Sequence, residues 1–194
     1  MHIADGILPN AWCGAAHAAS WGSLYWLGRR IDAGEVVRLG MLASVSFVVS
    51  LIHFPLGGTS VHLGLYGLTG ILAGRRAFPV IFAALLFQTV LFQHGGLLTL
   101  GVNAANMGLG ALVAAVVWRT GVGPQAARAF LCGFVGIVIP ALLIAAEFSL
   151  TGYGKGFLYV SALYLGAAAL EGVLTAGIVS FLRGAKPALL EVPL

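Results

Sequence analysis

Met1-His2-Ile3-Ala4-Asp5-Gly6 opens the chain and leads into an apolar run from Ala11 to Gly28. No basic stretch precedes that run and no small-residue cleavage site follows it. These residues are therefore expected to remain as the start of a first membrane helix rather than to leave as a signal peptide. A residue as bulky as His2 also hinders removal of the initiator methionine. A deformylated chain would begin with a free α-amine and carry an imidazole on the next residue. The amine titrates at about 7.7–8.0, so a metal ion can displace its proton near neutral pH. The His2 amide nitrogen, once deprotonated, closes a small chelate ring with the amine, and His2 Nδ1 closes a second ring with the amide. Three nitrogens then share a plane, and one further imidazole completes a square. Tetragonal nitrogen sites suit Ni(II) or Cu(II), whereas Zn(II) prefers a tetrahedron.

The rest of the chain supplies a membrane setting. Charged residues are 8% of the 194 and hydrophobic residues 60%, against roughly 25% charged in soluble domains; mean hydropathy is +1.01. The fold class expected is an all-α polytopic membrane bundle, with residues 1–194 forming a single transmembrane domain. The net charge of +4 sits in short clusters between apolar runs, which is not a nucleic-acid pattern. Cys13 and Cys132 lie inside apolar segments and read as small packing residues.

Seven apolar spans can be marked: Ala11–Gly28, Val37–Phe54, Val61–Ala73, Phe78–Gln93, Asn103–Trp118, Ala126–Leu150 and Phe157–Leu182. The third is short and glycine-rich, as spans that line a binding cavity often are. Arg29, Arg30 and Arg38 flank the first connection, Arg75 and Arg76 the third, Arg119 and Arg128 the fifth, and Arg183 and Lys186 follow the last span. Of the ten basic residues only Lys155 lies on the opposite side. The bare side is therefore expected to face outward. That places the N-terminus outside, the C-terminus in the cytoplasm, and His2 and His62 on one face.

Polar groups at membrane depth are costly and so attract functional readings. The connection His94-Gly95-Gly96-Leu97-Leu98-Thr99-Leu100-Gly101-Val102-Asn103 is uncharged and can fold back into the bundle. Asn103 and Asn106 either face a cavity there or, for Asn103, cap the following helix. His17 reads as a satisfied core histidine, and His53 as a reserve ligand at a wet interface. Glu171 lies mid-span and Glu147 nearer the outer end. The pair also supports an alternative, a proton-coupled secondary cation transporter. Gly14, Ala18 and Gly22 form a small-residue row for close helix contact, internal or with another subunit. No nucleotide-binding, metalloprotease or nucleophile-elbow motif is present, so energy from ATP would come from another polypeptide.

Four stretches together make the chain resemble the nickel/cobalt substrate-binding membrane subunits (S components) of energy-coupling-factor transporters. They are Met1-His2-Ile3-Ala4-Asp5-Gly6; Gly57-Gly58-Thr59-Ser60-Val61-His62-Leu63; Gly95 through Met107 with its Gly-Gly-Leu-Leu-Thr-Leu-Gly-x-Asn-x-x-Asn-Met pattern; and Glu171-Gly172-Val173-Leu174-Thr175. The resemblance implies a seven-helix bundle with the N-terminus inserted into its core. It further implies a metal held by the Met1 amine, the His2 amide and imidazole, and the His62 imidazole. Asp5, Ser60, His94, Asn103 and Asn106 would line the cavity. The cargo implied is Ni2+ or Co2+, with Asp5 and the Gly-Gly-Thr-Ser-x-His stretch leaning toward nickel, and no organic cofactor. Such a subunit captures the ion outside a bacterial or archaeal cytoplasmic membrane. It then reorients against a transmembrane coupling subunit driven by two cytoplasmic ATPases, with Gly14, Ala18 and Gly22 as a natural contact. A small accessory membrane subunit often accompanies such proteins; here it would be absent or separate. Some relatives carry an acidic residue where this chain has His94, which adds a possible local ligand.

Overall fold

A computed structural model describes residues 2–56, 59–154 and 156–191. Its helices are α1 (Asn10–Gly28), α2 (Ala33–Val49), α3 (Tyr66–Ala73), α4 (Ala77–Phe92), α5 (Leu100–Arg119), α6 (Gln125–Thr151) and α7 (Phe157–Ala185). Two short strands, β1 (His53–Leu56) and β2 (Thr59–His62), pair antiparallel between α2 and α3. The boundaries follow local chemistry. A reciprocal capping box starts α2: Asp32 Oδ1 accepts from the Glu35 N–H at 2.8 Å, and Glu35 Oε2 accepts from the Asp32 N–H at 3.5 Å. Pro9 and Pro124 stand just ahead of α1 and α6, where a missing N–H costs nothing. Gly152, at φ 68°, ends α6 in the left-handed conformation that glycine adopts freely.

The expected second and third spans need correcting. Residues 53–56 and 59–62 are not helical; they form the strand pair, with His53 opposite His62. Only eight residues of the third span are α-helix, a length of about 12 Å that cannot cross a bilayer by itself. All eight are buried, because α3 runs among other helices instead of facing lipid. A Cβ at Gly67 would meet the Cys132 carbonyl of α6, so the close approach needs glycine.

The stretch 66–92 is long and apolar enough to cross a bilayer, as are α5, α6 and α7. It is nevertheless a hairpin. The His62 and His94 rings that bracket it lie 5.3 Å apart, so α3 leads away from them and α4 leads back. The reversal at Gly74–Arg76 is pinned to the α1–α2 connection. Arg76 Nη1 donates to the carbonyls of Leu27 (2.6 Å) and Arg29 (2.8 Å), and Nη2 to that of Arg30 (3.0 Å). Its guanidinium also pairs with Glu35 at 3.5 Å. The far end of α5 joins the same end of the bundle, where Trp118 Nε1 donates to the Leu190 carbonyl at 3.2 Å. Arg29, Arg30, Arg75, Arg76, Arg119 and Arg183 thus share one end, and the histidines the other. The architecture is an all-α membrane fold.

Candidate metal site

The N-terminal segment is clipped into the bundle backbone to side chain. Asn103, in the first turn of α5, uses both ends of its amide on Ile3: Oδ1 accepts the Ile3 N–H at 2.9 Å, and Nδ2 donates to the Ile3 carbonyl at 2.9 Å. Thr99 Oγ1 donates to the same carbonyl at 2.7 Å. Asp5 then accepts from the N–H groups of Thr99 (2.9 Å) and Leu98 (3.3 Å), placing a carboxylate at the N-terminus of α5 where the helix dipole favours it. Ile3 is fully buried. A Cβ at Gly96 would collide with the Asp5 carboxylate, so the paired glycines leave room for the incoming terminus. His17, on α1, ties the same loop down through Nε2 to the Leu97 carbonyl at 2.9 Å.

Clipping Ile3 fixes His2. Its Nδ1 lies 3.0 Å from His62 Nε2. Nδ1 is the nitrogen that closes a chelate ring with the residue's own amide. Metal–imidazole bonds are about 2.0–2.1 Å, so adjacent corners of a square lie about 2.9 Å apart; the observed separation matches that edge. His62 Nδ1 sits 3.0 Å from the Leu63 carbonyl. A proton on that nitrogen would leave Nε2 with its lone pair toward His2, the arrangement that orients metal-binding imidazoles generally. His62 is 4% exposed. His94 stands against the pair, and one ligand atom from each of His2, His62 and His94 lies within 4.8 Å of the others.

Two supports hold His62 and His94 in place. Glu171 of α7 accepts from the N–H groups of Gly64 and Leu65, at 3.0–3.1 Å for Leu65, just where the chain passes from β2 into α3. Its mid-span carboxylate thereby fixes the turn that leads into α3. His94 follows Gln93, whose φ of 53° ends α4, and its own N–H bonds the Gln88 carbonyl at 3.2 Å.

Burial pushes the His94 imidazole down to about 4. Burial also holds His2 and His62 well below the ordinary imidazole range, with repulsion from neighbouring basic groups adding to it. All three are therefore neutral at pH 7, with lone pairs available to a cation. In the unfolded chain they titrate near about 6.5. Below that pH the unfolded state binds more protons, so stability is full above it and is lost as pH falls. The metal-free protein in detergent should melt lower at pH 5 than at pH 7; equal melting temperatures would contradict the neutral cluster.

The remaining residues singled out from sequence divide clearly. Met1 and the Ser60 side chain lie outside the described residues. Asn103 does not cap its own helix but holds Ile3. Asn106 is turned away to Glu147, donating to Oε2 at 2.9 Å. Gly14, Ala18 and Gly22 are exposed on α1, and the space beside both glycines is open. His53, held in reserve by the sequence, has its ring 5.4 Å from His62 and 5.0 Å from His94. The Gly57-Gly58 pair between short apolar segments was the hairpin signal that would have brought it in.

Asn103→Ala removes both bonds to Ile3, each worth about 1 kcal/mol. Nickel affinity should fall roughly thirtyfold in a competition titration, an expectation that unchanged affinity would sink.

Known proteins resemble the chain over nearly its whole length. It is 31% identical to the fused nickel transport protein NikMN of Rhodobacter capsulatus over 98% of this chain and 64% of that protein. The chain thus spans about two thirds of that fused relative's length. It is 30% identical to the cobalt transport protein CbiM of Sorangium cellulosum, over 98% of this chain and 95% of that one. A crystal structure of a transition metal transporter superposes with a TM-score of 0.83 at 24% identity, covering 95% and 93% of the two chains, a likeness of fold. The CbiM model, described as the cobalt uptake substrate-specific transmembrane region, matches residues 2–189, and the chain belongs to that family of multi-pass membrane proteins.

Proposed function

We propose that this chain is the substrate-capture subunit of an energy-coupling-factor transporter, binding Ni2+ or Co2+ on the outer side of a bacterial or archaeal cytoplasmic membrane. The supporting observation is the 3.0 Å approach of His2 Nδ1 to His62 Nε2, with the next residue, Ile3, clipped to Asn103. The Met1 amine, the His2 amide and imidazole and the His62 imidazole then supply four nitrogens in a plane, a field that leans toward low-spin Ni(II). Seven passes of the chain between the two ends of the bundle, one of them the short buried α3 with the segment that leads into it, and an N-terminus outside agree with the basic residues at the opposite end. ATP is hydrolysed by two cytoplasmic partners through a transmembrane coupling subunit, which meets the exposed Gly14/Ala18/Gly22 row. No organic cofactor is needed.

The proton-coupled alternative is less well supported, because Glu147 and Glu171 are both held in hydrogen bonds between structural elements. Uptake into liposomes separates the two readings. The chain co-reconstituted with its coupling subunit and ATPases should accumulate nickel or cobalt only with ATP. Accumulation by the chain alone under a pH gradient would favour the alternative.

A further inference from the structure

His94 stands outside the four-nitrogen set, yet its placement is that of a ligand. Its Nε2 is buried without a hydrogen-bond partner among the described residues. An orphaned buried donor or acceptor carries a desolvation cost that a native structure tolerates where something else pairs with it. The backbone of His94 is held on both sides: its N–H bonds the Gln88 carbonyl, and its carbonyl accepts from Thr89 Oγ1 at 3.3 Å. The next residue, Gly95, lies beside His2, where a Cβ would come into van der Waals contact 3.4 Å from the His2 ring.

Orientation specifies the role. The His2 and His62 rings are only 28° from parallel. The His94 ring stands at 69° to one and 70° to the other, with its centroid 4.2 Å from that of His2. A ring so placed lies across the other two, the position from which a nitrogen can reach a shared ion from outside their plane. An axial donor is cis to both imidazoles, about 2.9 Å from each, so the 4.8 Å spread of the three histidine nitrogens must contract by about 2 Å, a distance that rotation about the His94 side-chain bonds spans.

We infer that His94 is an axial ligand to the transported cation, making its coordination sphere square-pyramidal and shifting selectivity from nickel toward cobalt. This rests on the capture reading above. The electronic reason is general. Low-spin Ni(II), with eight d electrons, has a filled orbital along the axis and repels a fifth donor. Low-spin Co(II), with seven, has that orbital half-filled and accepts one. The equatorial nitrogens lean to nickel, and one axial imidazole offsets the lean.

The test uses the native-start protein loaded with Co2+ and read by electron paramagnetic resonance. An axial nitrogen splits each cobalt hyperfine line into a triplet. That triplet should be present in the wild type and absent in both His94→Ala and His94→Phe, the second keeping a ring against His2. In parallel, the ratio of cobalt to nickel affinity should drop about tenfold in both variants. A triplet missing from the wild type, or a spectrum and affinity ratio unchanged by both substitutions, overturns the axial assignment while leaving metal capture intact. Failure of the wild type to bind either ion would instead defeat the capture reading, and the axial role with it.

Discussion

Extending the chain by two residues ahead of Met1 should abolish tight nickel binding while leaving the melting temperature unchanged. Each residue displaces the α-amine by about 3.5 Å, so a two-residue extension carries it out of reach of the His2 chelate. An ordinary amide then stands where the basic amine belonged. Losing the amine also removes the ring that acidifies the His2 amide, so two of the four planar donors go together. The loss should reach at least about a thousandfold, or ~4 kcal/mol. A one-residue extension would be a poor test. It moves the imidazole to third position, and an amine, two amides and that imidazole form a complete four-nitrogen chelate needing no partner. Stability should not change, since Ile3 and its bonds to Asn103 and Thr99 remain. Nickel binding retained by the two-residue extension in a calorimetric titration would remove the terminus from the site.

The second large effect is expected from His62→Ala. This imidazole is the one equatorial donor that does not belong to the terminal chelate, and it reaches the site at 3.0 Å from His2 Nδ1 while 4% exposed. Its removal should weaken nickel binding about a hundredfold, near 3 kcal/mol, because water replaces a neutral, pre-oriented nitrogen. The fold should survive, since the turn beyond His62 is held by Glu171 on the Gly64 and Leu65 amides and not by the imidazole. An affinity within threefold of the wild type would assign the fourth corner elsewhere, His94 being the nearest candidate.

How much of this could be read from the residues alone depends on range. The bilayer demands long apolar runs, so α1 and α4–α7 were legible within three residues at each end. The strand pair was not. Leu51, Ile52, Phe54, Pro55 and Leu56 continue the apolar run of α2, and hydropathy alone does not distinguish strand from helix over so few residues. The proposed terminal chelate was legible as a proposal because its donors are adjacent in sequence and chelate-ring size is a local property. Its supports were not. Asn103 meets Ile3 across 100 residues, and Glu171 meets Leu65 across 106. Such long-range pairs leave no periodic trace. The polar character of Asn103 and Glu171 inside apolar spans was the only hint that each had a partner.

Proton release on metal binding tests most directly whether the chain's own beginning coordinates the ion. At pH 7 the α-amine is largely protonated and the His2 amide fully so, while the buried imidazoles are already neutral. Titrating nickel into the native-start protein in buffers of different ionisation enthalpy counts those protons. The amine–amide–imidazole chelate predicts about two released per ion bound. Release near zero would mean that the histidines alone hold the metal.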